Sequence, residues 1–251
     1  MRRITMLASI VFGATAMMAG SIAGSAEVST GNLENGKKIF TEGKGSVPAC
    51  TSCHGDDGMG NDMMGTPRLA GQVVAFLVKQ LEDFANDKRM DTTMFVMNAN
   101  AKGMSLQDRI DVATFAAKME VGEDMSNLSE LKANGTAVGA AHLGKVIVNY
   151  GIEEKGVPAC KSCHGFNGRG VDPIYPKLNK QRYVYLVNQL KKWRDGSRAN
   201  DPMSQMQIVA RKLSDADINN AAAYLAGAEN STLGNSRTPE QHFPLAYDPR
   251  E

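Results

Sequence analysis

Apolar residues recur along this chain at the spacing of one helix face, and they do so twice. Leu77, Leu81 and Phe84 stand at i, i+4 and i+7, and Leu186, Leu190 and Trp193 repeat the stripe further on. That spacing puts all three side chains on one side of a 3.6-residue helix, so each stretch is predicted to be a long helix with one buried face. Two later stretches open with Ser-x-x-Asp, at Ser105 to Asp108 and Ser214 to Asp217. A hydroxyl and a carboxylate so placed accept hydrogen bonds from N–H groups that a first helical turn leaves unpaired. The helices they open run through Phe115 and Met119 in one case and Tyr224 and Leu225 in the other. A shorter leading helix holds Gly36 and Phe40, matched by Gly144 and Val148. Strand-type alternation is nowhere sustained, and the expected fold class is all-α.

The pairing of these elements reflects an internal repeat. Val47 to Gly60 lies over Val157 to Gly170 with 10 identities in 14 positions, and Pro67 to Leu81 over Pro176 to Leu190 with 7 in 15. Chance gives about one match in such windows, so the chain reads as two copies of one domain. They join between Val121 and Ala137, where Gly, Ser, Asn and acidic residues cluster. The expected division is a leader over 1–26, a first domain over 27–132, and a second over 133–251 that includes a tail.

The leader has Arg2 and Arg3, then an apolar run from Leu7 to Gly20, then small residues up to Ala26. The run is too short to anchor in a bilayer and reads as a cleavable secretory signal, with the cut before Glu27 and a periplasmic destination. Beyond it the chain carries 26 basic and 27 acidic side chains, a balance that suggests no nucleic-acid or membrane-surface partner. A second apolar run long enough to span a membrane is absent from the sequence, so a soluble protein is expected. Aromatic residues make up only 6% of the chain, thin for two cores of this size, and bulky apolar cofactors are expected to fill the difference.

Those cofactors are indicated by the cysteines. Cys50, Cys53, Cys160 and Cys163 are the whole supply, and each pair is followed directly by a histidine, His54 or His164. In Cys-x-x-Cys-His the thiols are spaced to add across the two vinyl groups of one haem while the histidine reaches the iron. Zinc binding is disfavoured because 106 residues separate the two pairs and each pair has its own histidine. A thioredoxin-type dithiol calls for a strand-helix-strand setting that is missing here. Two covalently attached haem c groups are therefore expected.

The second copy contains only two methionines, Met203 and Met206, so a methionine ligand on that side is one of them. The repeat maps them onto Met94 and Met97. Met97 and Met206 each stand seven residues before the residue that leads into the last helix's cap, Met104 or Leu213, and are the favoured sixth ligands. His142 and His242 have no counterparts in the other copy and read as surface residues.

Cys-x-x-Cys-His, then Pro-x-Leu-x-x-Gln, then a methionine seven residues before the lead-in to a capped last helix, resembles the class I cytochrome c domain. Two such domains in tandem resemble the cytochrome c4 family. The resemblance implies domains of three to five helices with haems facing each other across the interdomain surface. It also implies that the carbonyls of Pro67 and Pro176 accept a hydrogen bond from His54 and His164. Met104 and Arg109 depart from the apolar pattern of Leu213 and Ile218 in the second copy. The expected function is electron transfer between redox proteins, from a donor toward a terminal oxidase or another acceptor, with docking to membrane-bound complexes allowed. No paired carboxylates or nucleophile constellation points to a catalytic site, so an electron carrier rather than an enzyme is expected. Two other readings stay open: a cytochrome subunit of a flavoprotein dehydrogenase of the sulfide type, and a dihaem peroxidase or thiosulfate-oxidising enzyme.

Overall fold

The computed structural model describes residues 30–229. The expected leader, the tail after Glu229 and His242 lie outside the described residues. The first copy contains α1 (Leu33–Glu42), α2 (Thr51–His54), α3 (Val74–Ala85), α4 (Met97–Lys102) and α5 (Leu106–Lys118). A connecting helix, α6 (Leu128–Ala133), leads to α7 (Ala141–Tyr150), α8 (Lys161–His164), α9 (Tyr183–Asp195), α10 (Gln205–Ala210) and α11 (Asp215–Ala226). Among the described residues, extended backbone pairs only in isolated bridges such as Lys44 with Val47 and Ile152 with Val157. The architecture is all-α, in two copies of the same five-helix order.

In each copy the first and last helices cross closely. A Cβ on Gly36 would lie 2.2 Å from the carbonyl oxygen of Asp111, and one on Gly144 would lie 1.9 Å from that of Asn220. Glycine there lets backbone meet backbone. Around the first crossing, Ile39, Phe40, Val112, Ala113 and Ala116 form a buried cluster with Leu77 of α3, and the rings of Phe40 and Phe115 sit 5.5 Å apart. Ile147, Val148, Ile218, Ala222 and Leu225 do the same in the second copy with Leu186 of α9.

Both capping boxes are formed. Ser105 accepts from the Asp108 N–H at 3.1 Å and the Asp108 carboxylate accepts from the Ser105 N–H at 3.1 Å; Ser214 and Asp217 repeat this at 3.2 and 2.8 Å. The first box is reinforced by Lys44, whose Nζ donates to Asp108 at 2.7 Å. Burial alone would raise the Asp108 carboxyl, but hydrogen bonds from Lys44, Ser105 and Asn35 outweigh it and bring its pKa down to about 2. The α5 helix stops at Lys118, with Met119 as its extended C-cap, one residue short of the sequence reading.

The junction is more ordered than its composition suggests. Asn127 caps α6 by accepting from the Glu130 N–H at 3.1 Å, and Leu131, with Leu128 packed beside it, belongs to the second copy's core. Just before it, Glu123 and Asp124 pair with Lys180 and Arg182 at 3.3 and 2.6 Å, and Ser126 accepts from the Tyr183 N–H at 2.9 Å. The junction is thus strapped along the second copy.

Candidate haem sites

In each copy a single helical turn carries the cysteine pair. Cys50 is the N-cap of α2 and Cys53 lies within it; Cys160 and Cys163 hold the same places on α8. Residues three apart share a helix face, so each turn presents two thiols side by side with the histidine next in line. All four cysteines are free of disulfide bonds. Burial pushes the Cys50 and Cys160 thiols up to about 11, against a smaller lowering effect of a backbone hydrogen bond, so both are neutral thiols at neutral pH.

The histidines are buried and oriented. His54 Nδ1 lies 3.0 Å from the Pro67 carbonyl oxygen, and His164 Nδ1 lies 2.9 Å from that of Pro176. A carbonyl oxygen only accepts, so Nδ1 donates and carries the proton. In the neutral ring Nε2 then holds a lone pair, which is what iron requires. Burial drives both imidazole pKa values down, more than the proline carbonyls raise them, which keeps the rings neutral. The backbone makes room for this at Gly60. Its φ is +72°, and a Cβ there would lie 2.5 Å from the Pro67 carbonyl.

Of the paired methionines, Met97 opens α4 and Met206 lies in the first turn of α10, both half-buried, whereas Met94 is 36% and Met203 81% exposed. A carboxylate gathers each loop. Asp91 accepts from the N–H groups of Val96 and Met97 at 3.1 and 3.3 Å, and Asp201 accepts from those of Met206 and Gln207 at 2.7 and 3.1 Å. Phe95 and Ser204, each two residues before its methionine, take left-handed backbone at φ +61° and +53°. His142 is exposed.

Between the copies lies a buried cationic cluster that the sequence reading missed. Arg89 donates to Gln80 at 2.7 Å, Gln189 at 2.9 Å and the Tyr185 hydroxyl at 3.1 Å. Arg198 donates to Gln189 at 2.7 Å, Gln80 at 2.9 Å and Asn200 at 3.1 Å. The two guanidinium groups lie over the rings of Phe84 and Trp193 at 4.6 and 4.2 Å. Burial, then repulsion from Arg89, bring the Arg198 pKa down to about 9. These acceptors are neutral, and no ion pair engages either arginine among the described residues; Asp201 acts on Arg198 only through space. Uncompensated buried positive charge is costly, so the cluster is suited to carboxylates such as those of a haem. Arg89 and Arg198 stand 109 residues apart, the same offset as Pro67 and Pro176, so extending the repeat alignment would have paired them.

Comparison with known proteins agrees with this construction. A family model described as cytochrome c matches residues 33–120 and again 154–229. The chain is 34% identical over 203 residues to a thiosulfate dehydrogenase electron acceptor of Stutzerimonas stutzeri, covering 80% of this chain and 89% of the relative. It is 33% identical to a cytochrome c4 of Pseudomonas aeruginosa, covering 74% and 86%. Among solved structures, a reduced cytochrome c4 from Pseudomonas stutzeri matches with a TM-score of 0.66 and 30% identity over 79% of this chain and 100% of that one. A thiosulfate dehydrogenase from Marichromatium purpuratum matches with a TM-score of 0.71 and 30% identity over 79% of this chain, which spans 40% of that chain. The repeated haem motif, the five-helix copies and these similarities together place the chain in the cytochrome c family, as a dihaem electron carrier of the cytochrome c4 type.

Proposed function

We propose that this is a periplasmic carrier with one haem c joined to Cys50 and Cys53 and another to Cys160 and Cys163. His54 and Met97 close the first iron, and His164 and Met206 the second. The observation that carries this is the repeated Cys-x-x-Cys-His turn whose histidine has Nδ1 committed to a proline carbonyl. When bound, each haem supplies a one-electron iron couple. The chain's own residues do the rest: the histidines are held neutral and oriented, the methionine loops are gathered by Asp91 and Asp201, and Arg89 and Arg198 would take propionate carboxylates. Thioether ligation favours the ferrous state, which suits a carrier that hands electrons to a high-potential acceptor such as a terminal oxidase. The apolar leader supports export, and among the described residues no helix is long and apolar enough to cross a membrane.

For the donor, the likeness to thiosulfate dehydrogenase electron acceptors and to a thiosulfate dehydrogenase favours an enzyme that oxidises thiosulfate. The test mixes the oxidised protein with a thiosulfate dehydrogenase and thiosulfate, and follows the ferrous haem absorption. Rapid reduction that needs both enzyme and thiosulfate is expected. Reduction at the same slow rate with the enzyme left out overturns the assignment of the donor.

A further inference from the structure

The glutamines of the two Pro-x-Leu-x-x-Gln segments cross between the copies. Gln181 Oε1 accepts from the Arg68 N–H at 2.6 Å, and its Nε2 donates to the Arg68 carbonyl oxygen at 3.1 Å. In mirror fashion, Gln72 Oε1 accepts from the Lys177 N–H at 2.7 Å, and its Nε2 donates to the Lys177 carbonyl oxygen at 2.8 Å. Both side chains are buried. The same two amides also accept from the N–H of the residue that follows each, Val73 at 2.9 Å and Arg182 at 2.8 Å, which fixes their orientation.

The position of this clamp along the chain matters. The Pro67–Arg68 peptide unit offers its oxygen to His54 and its N–H to Gln181; the Pro176–Lys177 unit offers its oxygen to His164 and its N–H to Gln72. One amide group therefore stands between the proximal histidine of one copy and a glutamine of the other. Hydrogen bonds on the two ends of an amide reinforce one another, because accepting density at the N–H polarises the carbonyl. A stronger acceptor at Pro67 or Pro176 gives its histidine more imidazolate character, and a more basic ligand stabilises ferric iron.

We infer that Gln72 and Gln181 are positioning residues that set the iron potentials crosswise: Gln181 acts on the haem of the first copy and Gln72 on the haem of the second. Each iron then senses whether the two copies are docked. This rests on the proposed haem sites, with His54 and His164 as iron ligands.

The experiment uses the full-length holoprotein and the variants Gln181→Met, Gln181→Glu, Gln72→Met and Gln72→Glu. A pyridine haemochrome count comes first, because loss of covalent haem from the unmodified protein would sink the site assignment rather than this inference. The two haems are then told apart by nuclear magnetic resonance of their shifted methyl signals during a redox titration. Methionine at 181 removes the acceptor for the Arg68 N–H, so the first-copy haem is expected to rise in potential by up to about tenfold in its reduction equilibrium, or about 59 mV for one electron. Methionine at 72 is expected to move the second-copy haem in the same direction. Glutamate keeps an acceptor for the N–H but exchanges the Nε2 donor for an oxygen facing the Arg68 or Lys177 carbonyl, so it is expected to shift the potential of the haem in the opposite copy more than that of its own. If methionine at either site moves the haem of its own copy more, or moves both equally or neither, the crosswise assignment is wrong. Should a methionine variant fail to fold, the paired glutamate variant decides by the same comparison.

Discussion

A thioether that closes an iron must be held in place, since an unbranched side chain otherwise wanders among rotamers. Asp91 and Asp201 fix the backbone at Met97 and Met206, the two methionines proposed for that role, and burial separates those two from the exposed Met94 and Met203. Met206→Ala and Met97→Ala are each expected to open one iron, abolish its methionine-to-iron absorption band and allow carbon monoxide to bind there, leaving the other haem unchanged. Met203→Ala and Met94→Ala are expected to do neither; carbon monoxide difference spectra of the four variants check this. Cysteines, histidines and candidate methionines could be read from the sequence because motif spacing and the repeat single them out. Arg89 and Arg198 were not, because charged residues are by default solvated and only the fold shows them buried over aromatic rings.

At the scale of the element, capping signals and apolar stripes located the long helices, since both rest on local chemistry. Helix α6 was hidden by its polar composition. Its cap is a single asparagine, and its two leucines find their core only once the second copy has folded against them. It also straddles the division at Lys132 while packing on the second core. The α5 cap carries a pH signature. The folded Asp108 carboxyl titrates at about 2, below the roughly 3.9 of an unfolded aspartate, so the unfolded chain binds more protons over that interval. The associated stability is complete above about pH 5 and is lost as pH falls toward 2. Asp108→Asn is expected to be less stable at neutral pH and to flatten the fall in stability between about pH 4 and 2. Denaturant titrations at stepped pH check it; an unchanged slope would mean that the carboxylate contributes nothing through ionisation.

Across the whole molecule, charge is unevenly divided. Residues 27–132 carry a net charge of −5 and residues 133–251 a net charge of +4. Part of this asymmetry serves the interface itself, where Arg182 meets Asp62 and Asp124, and Lys180 meets Glu123. Pairs of that kind were beyond the sequence, because they depend on how the two copies face each other. The remaining dipole is expected to orient partners at a distance, with salt screening the effect over roughly 10 Å at 0.1 M. A small acidic redox protein is expected to react fastest through the second-copy haem and a basic one through the first. Both rates should fall as ionic strength rises, as stopped-flow mixing with variants disabled at one haem would show. Rates that ignore salt would remove the steering role.

The central claim is that both irons are closed by protein ligands and serve only to pass electrons. The most direct measurement is a potentiometric titration of the purified holoprotein, followed by carbon monoxide added to its fully reduced form. Two one-electron steps and a reduced spectrum that the gas leaves unchanged are expected. A carbon monoxide-binding iron in the unmodified protein, or only one electron per chain, would contradict it.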